Sequence, residues 1–248
     1  MFDPLRATGV VVRGSSNDAP FLGSCFLFRQ PTHALTAAHV VSGHDTAELR
    51  IVLPRTLPLE THTISRIEFC PGADLASLAL ASGPSSAEPF WNHVGNFALG
   101  EDLMAYGFPE DVFGPTQGLP TPRLFRGYYQ RFYYHNSYLG YSYNAGEMNI
   151  AAPGGLSGGP VFRPGAPQMV TGLVTENLSS TTVLDALEEQ VGPTQSRQIQ
   201  YQRIIQYGVS LLLDSHESWL TQFIPPRPPW RPSGLISTLK CNTESHRA

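Results

Sequence analysis

The sequence is poor in cysteine, and the few residues present exclude two classes of small protein. Cys25, Cys70 and Cys241 are an odd number in a chain of 248 residues, and their spacing matches no metal site. We therefore expect no secreted disulfide scaffold and no zinc domain, although the count is compatible with one disulfide.

Charge and long apolar runs are also scarce. Charged residues make up 15% of the chain and the net charge is −4. No basic run is present, so we expect no nucleic-acid partner. No apolar run has the length of a membrane span, and the start at Met1 lacks the features of a signal peptide. These absences predict no membrane association and a cytoplasmic location, although a trimmed chain would hide a signal.

Short β-type runs are what the sequence has instead. Glycine and proline are frequent, at 23 and 22 residues, as expected for many strands joined by turns. The predicted strands fall into two series, 9–12, 21–28, 33–36, 47–53, 62–69 and 75–80, then 103–107, 124–134, 138–145, 160–162, 169–175 and 203–213. Residues 176–200 are predicted to form a long loop with a short helix. A final helix is predicted over 216–223, capped by Asp214 and Ser215.

Three local patterns suggest chemistry. Ser157 lies in the glycine-rich run Gly-Leu-Ser-Gly-Gly-Pro-Val, His39 follows Thr-Ala-Ala, and Asp74 lies in Ala-Asp-Leu-Ala-Ser-Leu. Taken singly, each has a structural explanation: a linker, a buried histidine and a turn cap. Their joint occurrence in this order favours nucleophilic catalysis, because a serine hydroxyl needs a neighbouring imidazole and that imidazole needs a carboxylate.

The same residues define the roles that this chemistry requires. Ser157 would attack a carbonyl carbon, His39 would act first as base and then as acid, and Asp74 would orient the imidazole. The N–H groups of Gly155 and Ser157 would receive the developing oxyanion. Another acid, such as Asp102, is the alternative partner for His39, but the apolar surroundings of Asp74 in the sequence favour that residue.

These three blocks resemble the triad blocks of the chymotrypsin-like serine peptidases, and most closely those of the bacterial HtrA-like peptidases. Three further blocks agree with the resemblance: 23–28, 105–109 and 170–174. The resemblance implies an all-β fold of two six-stranded Greek-key barrels with a short C-terminal helix. The barrel with His39 and Asp74 would span 1–100, the barrel with Ser157 and the helix would span 101–223, and 224–248 would be an extended proline-rich tail.

The chain departs from this family at three points. Val40 stands where animal digestive members have a disulfide cysteine, and Leu156 stands where zymogen-activated members have an aspartate. We therefore expect no such disulfide at Cys25 and no activation by a freed amino terminus. The sequence ends soon after Phe223, so we also expect no regulation by a PDZ domain after the peptidase body.

The resemblance also suggests a specificity pocket. Ala151 would form its floor with Ala152 beside it, which favours small-to-medium apolar side chains before the scissile bond. The segment from Thr175 to Asn177 would pair with the substrate backbone as a strand edge. Glu176 is expected to lie in solvent on a loop, but a basic preference would follow if its side chain entered the pocket.

Taken together, the sequence predicts an active serine endopeptidase with a polypeptide substrate and with no metal or organic cofactor. The main alternative is a catalytically silent module of the same fold that binds peptides or partner proteins. A third hypothesis is an effector peptidase activated by a partner, which would contact residues 176–200 or 224–248.

Overall fold

The computed structural model describes residues 2–14, 20–54, 60–84, 87–92, 97–110, 121–192 and 195–226. The first half forms a closed barrel in the strand order β1-β2-β3-β6-β5-β4. Its strands, all paired antiparallel, are β1 (Thr8–Arg13), β2 (Phe21–Phe28), β3 (Gln30–Thr36), β4 (Leu49–Leu53), β5 (Glu60–Phe69) and β6 (Ala76–Leu80).

The second half forms a sheet in the order β11-β8-β9-β10-β13-β12-β7. The first and the last of its six antiparallel strands, β11 and β12, also pair with each other. The short β7 is a seventh strand, which pairs parallel with β12. The strands are β7 (Trp91–Asn92), β8 (Asp102–Gly107), β9 (Arg123–Asn136), β10 (Ser142–Met148), β11 (Pro160–Arg163), β12 (Ala166–Gly192) and β13 (Gln195–Leu212).

The helices of the described residues are short. They are α1 (Pro4–Ala7), α2 (Ala38–Val41) and α3 (Glu217–Phe223), with 3₁₀ turns at Thr46–Glu48 and Leu213–His216. Within the described ranges, no helix has the length and apolar character needed to cross a bilayer. The architecture is therefore all-β with a short C-terminal helix.

The larger of two apolar clusters among the described residues runs through both halves. It contains Phe26 and Leu35 from the first barrel together with Tyr143 and Val209 from the second sheet. Phe90 lies between the halves, with ring centroids 5.5 Å from Phe26 and 5.7 Å from Phe162. Edge-to-face and tilted aromatic pairs of this kind add to the burial energy of the rings, so the two halves pack as one body.

The predicted fold of two six-stranded β units and a short C-terminal helix is confirmed, but the predicted loop at 176–200 is wrong. Those residues belong to β12 and β13, which pair antiparallel from Gly172 opposite Leu212 out to Gly192 opposite Gln195. The apolar spacing resembled a helix, but the β-branched run of Thr181, Thr182 and Val183 favours extended backbone. We call residues 178–192 and 195–207 the arm.

Two smaller predictions also need correction. The strand predicted over 138–145 begins only at Ser142, because a turn precedes it in which Gly140 N–H donates to Ser137 O. The final helix begins one residue late, at Glu217, after the 3₁₀ turn. Asp214 accepts a hydrogen bond from Ser215 N–H at 2.7 Å instead of capping α3. The predicted tail lies mostly outside the described residues, and the barrel boundary near residue 100 stays a prediction.

Candidate active site

Two neighbouring strand ends bring His39 and Asp74 together. Thr36 at the end of β3 pairs with Ala76 at the start of β6. His39 follows that end of β3 in the first turn of α2, and Asp74 precedes β6 by two residues. The two side chains therefore project from the same end of the first barrel.

Asp74 accepts two hydrogen bonds from His39. Its Oδ1 accepts from the His39 backbone N–H at 2.9 Å, and its Oδ2 lies 2.7 Å from His39 Nδ1. The Asp74 side chain is fully buried, whereas the imidazole is 26% exposed. A buried carboxylate at Nδ1 fixes the proton on that nitrogen and leaves Nε2 as the acceptor.

Ser157 lies in a tight loop between β10 and β11 that depends on glycine at two positions. Gly155 and Gly158 have φ of +83° and +84°, in the left-handed region that side chains disfavour. A Cβ on Gly158 would lie 2.1 Å from the Ser24 carbonyl oxygen, and one on Gly155 would lie 2.6 Å from the Phe108 carbonyl oxygen. Both glycines are therefore required by the backbone and by close packing.

Hydrogen bonds fix the direction of the two peptide units that precede Gly155 and Ser157. The carbonyl of Gly154 accepts from Glu110 N–H at 2.7 Å, and the carbonyl of Leu156 accepts from Gly159 N–H at 2.9 Å. In a trans peptide the N–H points opposite to its carbonyl, so the N–H groups of Gly155 and Ser157 point away from those partners. Neither N–H has a backbone acceptor among the described residues. The loop thus presents two donors beside the serine.

The hydroxyl of Ser157 donates to the carbonyl of Thr175 at 3.1 Å. Thr175 lies in β12 next to Val174, whose carbonyl accepts from Gly158 N–H at 2.7 Å. The serine side chain is therefore held against the strand, and a rotation about its χ1 bond would redirect the hydroxyl to another acceptor.

A buried tyrosine that the sequence did not single out supports this strand. Tyr143 Oη donates to Thr175 Oγ1 at 2.9 Å, and Thr175 Oγ1 donates to Val209 O at 3.1 Å. Burial raises the pKa of Tyr143, so its phenol stays a donor. This chain of bonds fixes Thr175 between β10 and β13, and only the abundance of tyrosine in this region could have suggested it.

Ser24 is another residue that the sequence did not single out, although it lies in the block 23–28 that supports the family resemblance. Its N–H donates to Ser157 O at 2.8 Å, its hydroxyl donates to Gly155 O at 2.8 Å, and that hydroxyl accepts from Phe108 N–H at 2.9 Å. One residue of the first barrel therefore holds the serine loop of the second half in place.

The predicted pocket residues are close together, but Glu176 is not where it was expected. Asn177 Oδ1 accepts from Ala152 N–H at 3.1 Å, which joins the two predicted walls beside the half-buried Ala151. Glu176 is on a strand and its side chain is only 5% exposed, with Oε2 lying 3.2 Å from His135 Nε2. The predicted solvated position is therefore wrong, because β12 continues through this segment and turns the carboxylate toward β9.

The other ionisable candidates lie away from these residues. Asp102 is exposed and pairs with Arg126 at 2.6 Å on the second sheet. Cys25 and Cys70 are buried free thiols, and burial raises the pKa of both, to about 11 for Cys70. Within the described part of the chain, no three His, Cys, Asp or Glu side chains gather in a way that could hold a metal ion.

A family model for the trypsin-like peptidase domain matches residues 23–170, a span that contains His39, Asp74 and Ser157. The chain belongs to this family. No curated protein sequence matches this peptidase domain.

Solved structures resemble the peptidase domain in fold. The active form of the Rv3671c protease from M. tuberculosis is 16% identical with a TM-score of 0.60, over 92% of this chain and 85% of that one. Its inactive form is 15% identical with a TM-score of 0.57, over 88% and 89%. The MamO protease domain from Magnetospirillum magneticum is 16% identical with a TM-score of 0.60, over 87% and 96%.

The serine loop of the peptidase domain predicts a large stability effect at Gly158. We expect Gly158→Ala to lower the free energy of unfolding by about 3 kcal/mol or more, since the left-handed backbone and the overpacking against Ser24 both add cost. Gly43→Ala is the matched control: its φ is +77° with nothing within 4 Å of the added Cβ, so it should cost about 1 kcal/mol. Urea unfolding measures both, and equal losses would contradict the close-packing argument.

Proposed function

We propose that this chain is an active serine endopeptidase that hydrolyses peptide bonds through Ser157, His39 and Asp74. The observation that carries the proposal is the pair of hydrogen bonds between His39 and the fully buried Asp74. The serine loop packs beside them through Gly158, which lies against Thr36 and Ala37, and its Gly155 and Ser157 N–H groups have no backbone acceptor within the described ranges. Base, carboxylate, nucleophile and oxyanion donors are the four parts that acyl transfer requires.

The proposed reaction starts with rotation of the Ser157 hydroxyl from Thr175 O toward His39 Nε2. His39 takes the hydroxyl proton as the oxygen attacks the substrate carbonyl carbon, and Asp74 stabilises the imidazolium through Nδ1–H. The N–H groups of Gly155 and Ser157 bind the oxyanion. His39 then gives the proton to the leaving amine, and a water molecule repeats the sequence to release the acyl group from Ser157.

Labelling with a fluorophosphonate tests the proposal directly, since the reagent reacts with an activated serine and not with an ordinary hydroxyl. We expect one label per chain, located at Ser157 by peptide mass spectrometry. A folded chain that takes no label would favour a silent module of the same fold that binds peptides. A chain labelled only after a binding protein is added would favour an effector peptidase.

We also propose that the residue before the scissile bond is small to medium and apolar. The pocket residues Ala151 and Ala152 carry no charge, and the carboxylate of Glu176 is buried beside His135, so no counter-ion for lysine or arginine is offered there. Peptides with valine, alanine or leucine at this position should exceed matched arginine peptides in kcat/KM by about tenfold or more. A preference for arginine or lysine would contradict this part of the proposal.

A further inference from the structure

We propose that the arm binds the portion of an extended polypeptide substrate that precedes the scissile bond, which adds as a third strand to the open edge of β12. This inference rests on the proposed peptidase function and extends it from the peptide bond to a long stretch of substrate. It assigns the arm to substrate selection.

The first argument is continuity between the site and the arm. Thr175 O lies 3.1 Å from the Ser157 hydroxyl, and the same strand continues to Gly192, with irregular pairing at 174–176, 183–185 and 190–192. A peptide that pairs with Thr175 to Asn177 at the site therefore meets the arm as the continuation of the same edge.

The second argument is that this edge has open backbone groups. β11 pairs with β12 only as far as Leu173, and β7 pairs with it only at Met169 and Val170. Beyond Val174, β13 is the only strand that pairs with β12 among the described residues. An edge of this kind carries a row of N–H and C=O groups ready to bind another extended chain.

The third argument is that the part of this edge nearest the site lacks two usual protections against pairing. The run from Asn177 to Leu184 contains no charged residue and no proline, two of the features by which natural edge strands prevent association. Val183 and Leu184 in β12 are 51% and 65% exposed, and Tyr201 and Ile204 in β13 are 53% and 61% exposed. A two-stranded ribbon exposed in this way gains from a third strand.

Direction and length follow from strand geometry. Antiparallel pairing, the more stable kind per residue, directs the residues on the amino side of the scissile bond along the arm. Residues 178–192 extend β12 by about 50 Å at about 3.3 Å per residue. The arm therefore has the length to hold an extended, β-prone segment of more than ten residues, and the part of that segment opposite Asn177 to Leu184 should be uncharged.

A second copy of the chain is the competing occupant of this edge. Continuity with Thr175 favours the substrate, because a second copy paired along the whole edge would cover the segment beside Ser157. The two hypotheses predict different dependences. Substrate binding depends on peptide length, whereas self-association depends on protein concentration.

The test uses peptides of one cleavage sequence, extended on the amino side by four, eight, twelve or sixteen uncharged β-prone residues. Two variants with a shortened arm measure how far along the arm the peptide binds. In one, Asn-Gly replaces residues 181–204, which joins the cross-strand partners Ser180 and Ile205; in the other, Asn-Gly replaces 188–198, which joins Leu187 and Ile199. Binding to each protein carrying Ser157→Ala is measured by fluorescence anisotropy, and kcat/KM is measured with Ser157 present.

We expect binding to the full arm to tighten by about tenfold or more over the series, since several cross-strand pairs each contribute modestly. The gain should stop at a shorter extension for the 188–198 deletion and at the shortest for the 181–204 deletion. Extension on the carboxyl side is the control and should give no such gain. The same length dependence in all three proteins would overturn the inference, as would arm-dependent dimers without any length dependence. Because binding is read on the Ser157→Ala proteins, absence of cleavage would count against the proposed function alone.

Discussion

The Ser157→Ala variant should lose peptidase turnover by about a million-fold, because no other group in the site can form the acyl-enzyme. The loop carbonyls are fixed by Ser24 and Gly159 through backbone atoms and the Ser24 hydroxyl, so removal of the Ser157 hydroxyl leaves the fold in place. Initial rates on a quenched fluorescent peptide give kcat, and circular dichroism verifies folding.

Ser65→Ala is the matched control for this variant. Ser65 is an exposed serine whose hydroxyl donates to a backbone carbonyl, Ala79 O, at 3.0 Å, much as Ser157 donates to Thr175 O. Its replacement should leave kcat unchanged and should leave labelling by a fluorophosphonate intact. Turnover that persists in Ser157→Ala above about a thousandth of the parent rate would assign the nucleophile elsewhere.

Asp74→Asn should lower kcat by about ten-thousand-fold through the tautomer of His39. The His39 backbone N–H occupies Oδ1 at 2.9 Å, so the amide oxygen of the asparagine stays there and its NH₂ group faces Nδ1. That NH₂ can only donate, so Nδ1 becomes the acceptor and the ring proton moves to Nε2. A protonated Nε2 cannot accept the proton of Ser157.

Asp102→Asn is the control for the carboxylate. Asp102 is exposed and bonded to Arg126, and an exposed pair of this kind contributes little, so both activity and stability should stay near the parent values. Activity of Asp74→Asn within tenfold of the parent would contradict the role assigned to Asp74. A large loss in Asp102→Asn would point to that acid instead.

The sequence alone predicted the parts of the site that depend on local backbone. Ser157 lies in a short motif whose backbone depends on Gly155 and Gly158, and His39 and Asp74 lie next to the ends of predicted strands. The pairing of Thr36 with Ala76 then brings two of the motifs together. The roles assigned to these residues stay predictions until the variants are measured.

The parts that the sequence did not predict depend on contacts between distant strands. Ser24 meets the serine loop across 131 positions of sequence, and nothing in its own neighbourhood indicates which carbonyl it binds. Glu176 was placed in solvent because a glutamate in a polar segment usually lies there. Only the register of β12 against β13, with its irregularity between Val174 and Glu176, turns the side chain toward His135.

The arm was missed for a different reason. Its apolar residues do not alternate strictly. Where its side chains are described, neighbouring residues such as Val183 and Leu184 are both exposed, so no buried face imposes a period of two there. Irregularities in the pairing at 183–185 and 190–192 disturb the alternation further. Strand propensity at Thr181 to Val183 was the one local signal available.

The bonds from Ser24 to residues 155 and 157 have a consequence for synthesis. The segment with His39 and Asp74 emerges from the ribosome before the segment with Ser157, so a first half that folds early holds the imidazole and its carboxylate without the serine. The loop that carries Ser157 gains its bonds only when it docks on Ser24, and Thr175 is synthesised later still. On the proposed function, a nascent chain therefore stays inactive until the segment through Thr175 has been made and has docked on the first half.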